Sequence, residues 1–108
     1  GGAPELRHWL YQNDWHIADE TLVLEDGRIY EIIQAKRGKK RAPKKILLEI
    51  GPVLWKKKPP LLRHHIEGLL FAQRRAISGM EKSEAARQSK KYAKTQAHIE
   101  ELEEYLTW

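Results

Sequence analysis

Several common features are missing from this 108-residue sequence, and each absence excludes a class of protein. The chain contains no cysteine, which rules out disulfide bonds and metal sites built from thiolates. Its apolar runs are far shorter than the roughly 20 residues that span a bilayer, and its first residues do not resemble a signal peptide. His8 and His16 have no third ligand at metal-binding spacing. We therefore expect a cytoplasmic protein with neither a membrane segment nor a metal site.

An Asp-Gly pair marks the most informative stretch of the chain. Asp26 and Gly27 suit a tight two-residue hairpin turn, because glycine, and less readily aspartate, tolerates the positive φ angles that it requires. Residues 19–24 before the turn and 29–35 after it are rich in side chains that favour strands. An isolated hairpin is marginally stable in water. This hairpin is therefore expected to need a covering helix or a larger sheet.

A short helix is predicted before the hairpin. Pro4 suits the first turn of a helix, and Leu6, Trp9 and Leu10 then form an apolar stripe at helical spacing. Asn13 is the predicted C-terminal cap, in the left-handed conformation. The stripe predicts a helix of about nine residues.

Positive charge is concentrated in short segments. Residues 1–35 contain seven acidic side chains and two arginines, whereas residues 36–45 contain seven basic side chains and no acidic one. A second basic patch follows at residues 56–58. Such runs indicate either solvated, mobile loops or surfaces that neutralise the phosphates of a polyanion. The sequence leaves both alternatives open.

Two proline-containing pairs divide the middle of the chain. Residues 46–50 are apolar, and their periodicity does not distinguish a strand from one turn of helix. The Gly-Pro pair at residues 51–52 is expected to end this segment. The Pro-Pro pair at residues 59–60 marks a boundary, because its second proline suits the first turn of a following helix. We therefore predict two domains, residues 1–58 and 59–108.

The second predicted domain has helical periodicity throughout. An apolar stripe predicts a first helix of about twenty residues, and it consists of Leu62, Ile66, Leu69, Gln73, Ala76 and Met80. After a break near Gly79, a seven-residue repeat predicts a second helix, and it consists of Ala85, Tyr92, Ile99 and Leu106, beside Ser89, Gln96 and Leu102 or Glu103. Together they predict an antiparallel hairpin of coiled-coil type. Small and polar residues along the seam indicate a weak interface.

The second predicted helix carries a cluster of cations. Arg87, Lys90, Lys91 and Lys94 have the i, i+3, i+4 and i+7 spacing of one helical face. Such a face is either the solvated exterior of a coiled coil or, together with the basic loops, a surface that contacts the phosphates of folded RNA. No exposed aromatic cluster that would stack single-stranded bases is evident in the sequence.

An ordered series of short motifs resembles a known family. The series is Leu6-Arg7-His8-Trp9-Leu10, Ile17-Ala18-Asp19-Glu20, Leu22-Val23, Glu25-Asp26-Gly27, Tyr30-Glu31-Ile32-Ile33, Ala35 and, after a variable loop, Gly51-Pro52-Val53-Leu54. It resembles the C-terminal portion of the bacterial tRNA (adenine-22 N1)-methyltransferases, a TrmK-like family that depends on S-adenosylmethionine. The likeness covers the first half of the chain well and the remainder only in general character.

The resemblance implies an α+β fragment. The helix and hairpin would form the edge of an incomplete Rossmann-like methyltransferase sheet, and the antiparallel coiled-coil hairpin would follow. The sequence lacks the acidic-glycine cofactor motif, Asp-x-Gly-x-Asp, and the family's Gln-Pro element. No catalytic or cofactor-binding residue of the family can therefore be assigned here. The first residues, Gly1-Gly2-Ala3-Pro4, include no initiator methionine, which indicates a processed chain or a fragment. The resemblance implies the C-terminal part of a longer enzyme, inactive alone, whose missing part binds S-adenosylmethionine.

The implied partner is tRNA, and the basic segments supply the candidate contacts. The residues expected to bind RNA are Lys39, Lys40, Arg41, Lys56, Lys57, Arg87, Lys90, Lys91 and Lys94. Two alternatives remain open on the sequence alone. The chain could be a non-enzymatic coiled-coil module for protein association, or a small RNA-binding adaptor. Self-association through the hairpin or the coiled coil is a further expectation.

Overall fold

The computed structural model describes residues 2–108, which form two strands and six helices. These are α1 (Ala3–Gln12), β1 (Trp15–Glu25), β2 (Arg28–Arg37), α2 (Lys45–Ile50), α3 (Pro52–Lys57), α4 (Leu62–Met80), α5 (Glu84–Arg87) and α6 (Lys90–Glu104). The chain divides into two compact units, of which the first ends at Leu62 and the second is Arg63–Trp108. The fold is therefore of the α+β class, as the sequence predicts.

The hairpin of β1 and β2 is antiparallel, and its turn confirms the Asp-Gly prediction. Asp26 has φ 50° and Gly27 has φ 74°, so both central residues are left-handed, as a type I′ turn requires. Both strands are longer than predicted. The first strand begins at Trp15 and the second ends at Arg37, and these two residues still pair with each other. A bulge at Ala18 shifts the register between Ile17 and Asp19 and bends the first strand.

Helix α1 confirms the predicted helix, and it buries one residue of its apolar stripe. Leu10 is buried, Leu6 and Trp9 are about half exposed, and Arg7 is fully buried. Apolar spacing alone could not indicate the burial of Arg7, which depends on partners from distant parts of the chain.

Asn13 is the C-terminal cap of α1, as predicted, but it is not left-handed. Asn13 has φ −118°, and the left-handed residue is Asp14, at φ 61°. The Asn13 side-chain amide donates to the Trp9 carbonyl at 2.8 Å, so it satisfies an acceptor of the last helical turn. The chain then reverses at Asp14, whose carbonyl accepts from the Gly38 N–H at 2.8 Å.

The segment at residues 46–50 belongs to the short helix α2, which resolves the ambiguity between strand and helix. A second short helix, α3, follows directly and was not predicted. Gly51, at φ 115°, separates the two helices, and Pro52 opens the second one. The buried apolar side chains of this unit come from the hairpin and from the helices around it, and they are Leu10, Ile17, Leu22, Ile46, Leu48, Ile50, Leu54 and Leu62.

In the second unit, the predicted second helix is broken into α5 and α6. The Ser83 side chain accepts from the Ala86 N–H, and the Ser89 side chain accepts from the Tyr92 N–H, so each serine caps a new helix start. Serine competes in this way with the helical backbone, which explains the break at residues 88–89.

Two arginines of α4 contact the last residues of the chain. The Arg63 guanidinium donates to the carbonyls of Leu106 and Trp108, and Arg74 forms an ion pair of 3.0 Å with Glu103. The predicted seam is wrong at Ala76, Ala85 and Gln96, which the structure exposes. Leu102, one of the two alternatives at its position, is buried, and so is Thr95, which was not predicted.

Candidate nucleic-acid interface

A buried ionic cluster lies at the centre of the first unit. Arg7 of α1 donates from Nε to Oε2 of Glu20 in β1 at 2.7 Å and from Nη2 to Oε1 of Glu31 in β2 at 2.6 Å. The side chains of Arg7 and Glu20 are inaccessible to solvent. The cluster therefore attaches α1 to both strands of the hairpin.

The same two side chains hold the junction of α2 and α3. Arg7 Nη1 donates to the carbonyls of Leu48 and Glu49 at 3.1 Å each, where α2 ends. Glu20 Oε1 accepts the N–H of Val53 at 2.8 Å and that of Leu54 at 3.2 Å, where α3 begins. A cation at a helix C-terminus and an anion at an N-terminus both match the helix dipole. The pair is thus satisfied by the backbone as well as by its own charges.

Gly51 lies between the two helix ends in contact with this cluster. Its φ of 115° strongly favours glycine. A Cβ atom there would lie 2.7 Å from Leu54 Cδ1 and 3.0 Å from both Arg7 Nη2 and Glu20 Oε1. The Gly-Pro element seen in the sequence therefore has a physical reason: only glycine leaves room for the ion pair.

The cluster holds the strands and helices that flank the two basic segments of the first unit. Residues 36–45 lie between Glu31 in the middle of β2 and the end of α2, whose carbonyls bond to Arg7. Residues 56–58 close α3, whose first turn is held by Glu20. Each basic segment therefore adjoins an element that the ionic cluster holds. Sequence reasoning did not assign this role to Arg7, Glu20 or Glu31, although all three lie in the motifs that carry the family resemblance.

Most of the predicted RNA-binding side chains are available to a partner. The following are exposed and form no side-chain hydrogen bond or ion pair within residues 2–108: Lys39, Lys40, Arg41, Lys56, Lys90, Lys91 and Lys94. Exposed cations without internal partners can exchange their counterions for phosphates.

Lys57 differs from these cations because it already has partners. Its Nζ lies 3.0 Å from Asp19 Oδ1 and 3.0 Å from the Glu20 carbonyl oxygen, so it attaches α3 to β1. The hydrogen bond from Lys57, assisted by the Glu20 N–H, holds the pKa of Asp19 below its ordinary value. The side chain therefore serves the fold of the first unit.

Arg87 is likewise engaged, and it does not share a helical face with the lysines that follow. Its Nη1 donates to the Glu81 carbonyl oxygen, near the end of α4. The helix break at residues 88–89 separates it from Lys90, Lys91 and Lys94. The predicted four-cation face is thus wrong for Arg87, whereas the three lysines remain together on α6. Lys90 and Lys91 lie in the first turn of that helix, next to the positive end of its dipole.

Three tryptophan–cation pairs were not predicted. The Lys58 ammonium lies 3.6 Å from the Trp55 ring centroid, and the Arg37 guanidinium carbon lies 5.3 Å from that of Trp15. In the second unit, Arg63 lies 5.0 Å from the Trp108 ring centroid. Such pairs orient the cation over the ring face. Two of these cations, Arg37 and Lys58, belong to the basic segments.

No helix within residues 2–108 has both the length and the apolar character required to cross a membrane. The same residues bring together no group of three or more histidine and acidic side chains that could hold a metal ion.

Comparison with known proteins identifies the family. The model of the tRNA (adenine(22)-N(1))-methyltransferase family, TrmK, matches residues 2–104. The chain belongs to the TrmK family. This confirms the resemblance on which the sequence analysis depended. A comparison with curated protein sequences gives no significant match.

Solved structures of TrmK-like proteins have the same fold as this chain. The candidate tRNA (m1A22) methyltransferase Sp1610 of Streptococcus pneumoniae is 21% identical, with a TM-score of 0.80 over 96% of this chain and 45% of that one. TrmK of B. subtilis, an M1A22 tRNA methyltransferase, is 23% identical, with a TM-score of 0.78 over 96% and 47%. A protein of the NADB-Rossmann superfamily from Streptococcus agalactiae is 22% identical, with a TM-score of 0.77 over 96% and 43%. The chain thus spans less than half the length of these proteins.

The described residues of this TrmK-family chain do not fit S-adenosylmethionine. Open α/β sheets bind ligands at the carboxyl ends of parallel strands. The sheet within residues 2–108 consists of two antiparallel strands, and the segment from β2 to α2 contains Gly38 as its only glycine. No residue of the described part is therefore assigned to the cofactor.

Proposed function

We propose that this chain is the C-terminal part of an S-adenosylmethionine-dependent methyltransferase that modifies N1 of an adenine in tRNA in the cytoplasm. Membership of the TrmK family supports this activity. A second structure of the S. pneumoniae protein contains S-adenosylmethionine, which supports the choice of methyl donor. The catalytic and cofactor-binding residues would belong to the part of the enzyme that lies outside this chain.

Residues 1–58 would form the edge of the catalytic domain's Rossmann-like sheet. On the outer face of the hairpin, Tyr30 and Ile32 are about half exposed, as are Leu6 and Trp9 on α1. A two-stranded sheet with exposed apolar side chains gains stability when further strands or helices cover it. The remainder of the catalytic domain is the proposed cover.

Residues 59–108 would form a helical arm of coiled-coil type. The ion pair of Arg74 with Glu103 and the contacts of Arg63 with the last residues support an antiparallel hairpin. On α6 and just beyond it, half-buried or buried side chains recur in steps of three and four, as in a heptad seam, and they are Tyr92, Thr95, Ile99, Leu102 and Leu106.

The arm and the basic segments would bind tRNA through its phosphates. The observation that carries this proposal is the set of seven exposed lysine and arginine side chains that have no partner within residues 2–108. Lys90 and Lys91 illustrate why a phosphate would bind at these cations. Two cations in the first turn of a helix oppose the helix dipole, so they do not stabilise α6. A phosphate bound there would be favoured by both lysines and by the dipole.

Neutralising these two lysines tests the proposal. The variant Lys90→Gln/Lys91→Gln is expected to weaken tRNA binding by this chain about tenfold and to reduce the slope of log affinity against log salt by about 2. Thermal stability should stay constant or rise, because the unfavourable interaction with the helix dipole is removed. Fluorescence anisotropy with labelled tRNA measures the affinity, and circular dichroism measures the melting temperature.

The matched control is Arg28→Glu, which lowers the net charge by the same amount at an exposed position next to the hairpin turn. It should reduce the affinity far less. Equal losses for both variants would mean that only net charge matters and would contradict an RNA-binding arm. In the complete methyltransferase, the double variant should raise KM for tRNA and leave KM for S-adenosylmethionine unchanged.

A further inference from the structure

Helix α4 carries an aromatic side chain in an otherwise polar setting. Phe71 is 63% exposed, more than any other large apolar side chain in the described part of the chain. An apolar ring of this size left in water forgoes a substantial stabilisation that burial would give. A stacked partner would recover part of it.

The surroundings of Phe71 are open and accessible. Helical spacing places Gly68 three residues before it and Arg75 four residues after it on the same face, and all three are exposed. A Cβ atom at Gly68 would meet nothing within 4 Å, so no contact within residues 2–108 requires glycine there. Glycine inside a helix costs roughly 0.5–1 kcal/mol relative to alanine. Since long helical side chains lean towards the N-terminus of their helix, the Phe71 ring is expected to lie beside the space that Gly68 leaves open.

The charges around the ring fit a nucleotide better than an apolar segment of protein. Arg75 forms no side-chain hydrogen bond or ion pair within residues 2–108, whereas its neighbour Arg74 is paired with Glu103. Glu67, one turn before Phe71, is exposed and can accept a hydrogen bond from an exocyclic amino group of a base. An aromatic ring between an acceptor and an unpaired cation matches a base and its phosphate.

We propose that Phe71 is a stacking platform for an unpaired base of the bound RNA. Gly68 leaves space for the base, Glu67 faces its edge, and Arg75 contacts the adjacent phosphate. Proteins that recognise RNA commonly stack splayed bases on aromatic side chains in this way. The inference rests on the proposed function, in which the helical arm binds tRNA, and it names the kind of nucleotide that the arm recognises.

The test compares two substitutions at the same position. Phe71→Leu keeps an apolar side chain but removes the ring, and it should weaken tRNA binding by this chain about tenfold. The salt slope should not change, because stacking releases no counterions. Phe71→Trp keeps a ring and should bind as tightly as the unaltered chain. A blunt-ended duplex RNA, which has no unpaired base, should bind all three proteins equally.

Tyr30→Leu is the matched control, because it removes another exposed ring, from the hairpin, and should leave tRNA affinity unchanged. Equal tRNA affinity of the Phe71→Leu variant and the unaltered chain would overturn the stacking site while the proposed function stands. A lower melting temperature of Phe71→Leu, with equal weakening for duplex RNA, would also overturn it, because it would assign Phe71 to packing. Absence of tRNA binding by the unaltered chain would overturn both proposals.

Discussion

Replacing Arg7 with methionine is expected to lower the free energy of unfolding of this chain by about 3–5 kcal/mol, the usual cost of breaking a buried ion pair. Methionine fills most of the same volume, so the loss reports the guanidinium group. Without it, Glu20 is buried without its countercharge, and the carbonyls of Leu48 and Glu49 lose their donor. Urea denaturation followed by circular dichroism measures the change.

The matched control for this substitution is Arg74→Met. Arg74 also pairs with a glutamate, Glu103, but these side chains are 56% and 49% exposed. An exposed pair contributes about 0–1 kcal/mol. If the two substitutions destabilised the chain equally, the ionic cluster would not organise the first unit as described.

A second large loss of stability is expected for Gly51→Ala. The backbone conformation alone should cost about 1–3 kcal/mol, because alanine disfavours a φ of 115°. The new methyl group would also lie 2.7 Å from Leu54 Cδ1 and 3.0 Å from the charged atoms of Arg7 and Glu20. Either the helices move apart or the ion pair opens. The same denaturation experiment measures the effect.

Gly79→Ala provides a control of opposite sign. This glycine lies in α4, and a Cβ there would meet nothing within 4 Å. Alanine should therefore stabilise the helix by roughly 0.5–1 kcal/mol. A Gly51→Ala variant that gained stability as well would show that the α2–α3 junction does not require glycine.

The ionic cluster connects the fold to the proposed function. Binding a flexible basic loop to RNA requires that the loop be ordered, which costs conformational entropy. Here the elements that flank residues 36–45, namely β2 and α2, are held by Arg7 together with Glu20 and Glu31. Fixed flanking elements limit the conformations that the loop can adopt before RNA binds. A substitution at Arg7 should weaken RNA binding even though this residue is buried.

Local signals in the sequence predicted the elements that depend on local physics. The Asp26-Gly27 turn follows from the φ angles that these residues tolerate, and the long helix α4 follows from its periodic stripe. The start of α3 and the break of the second predicted helix have only weak local signals, which are Pro52 for α3 and the caps Ser83 and Ser89 for α5 and α6. These residues can be recognised as helix starts only when the positions of the helices are known.

Long-range contacts were not predictable from the sequence. Arg7 bonds to Leu48 and Lys57 bonds to Asp19, each across about forty residues of chain. Because charged residues are seldom fully buried, Arg7 gave no indication of a central position. The internal partners of Lys57 and Arg87 were likewise not predictable, because both side chains are exposed and their bonds depend on the fold. Their contact with RNA stays a prediction.

The most direct test of the proposed tRNA-binding role is a titration of this chain with tRNA at several salt concentrations, beside an unrelated duplex RNA of similar length. We expect stronger binding to tRNA than to the duplex, with an affinity that falls steeply as the salt concentration rises. Binding that is absent, or equal for the two RNAs, would contradict the proposed role. The exposed cations of this chain would then have no part in recognising tRNA.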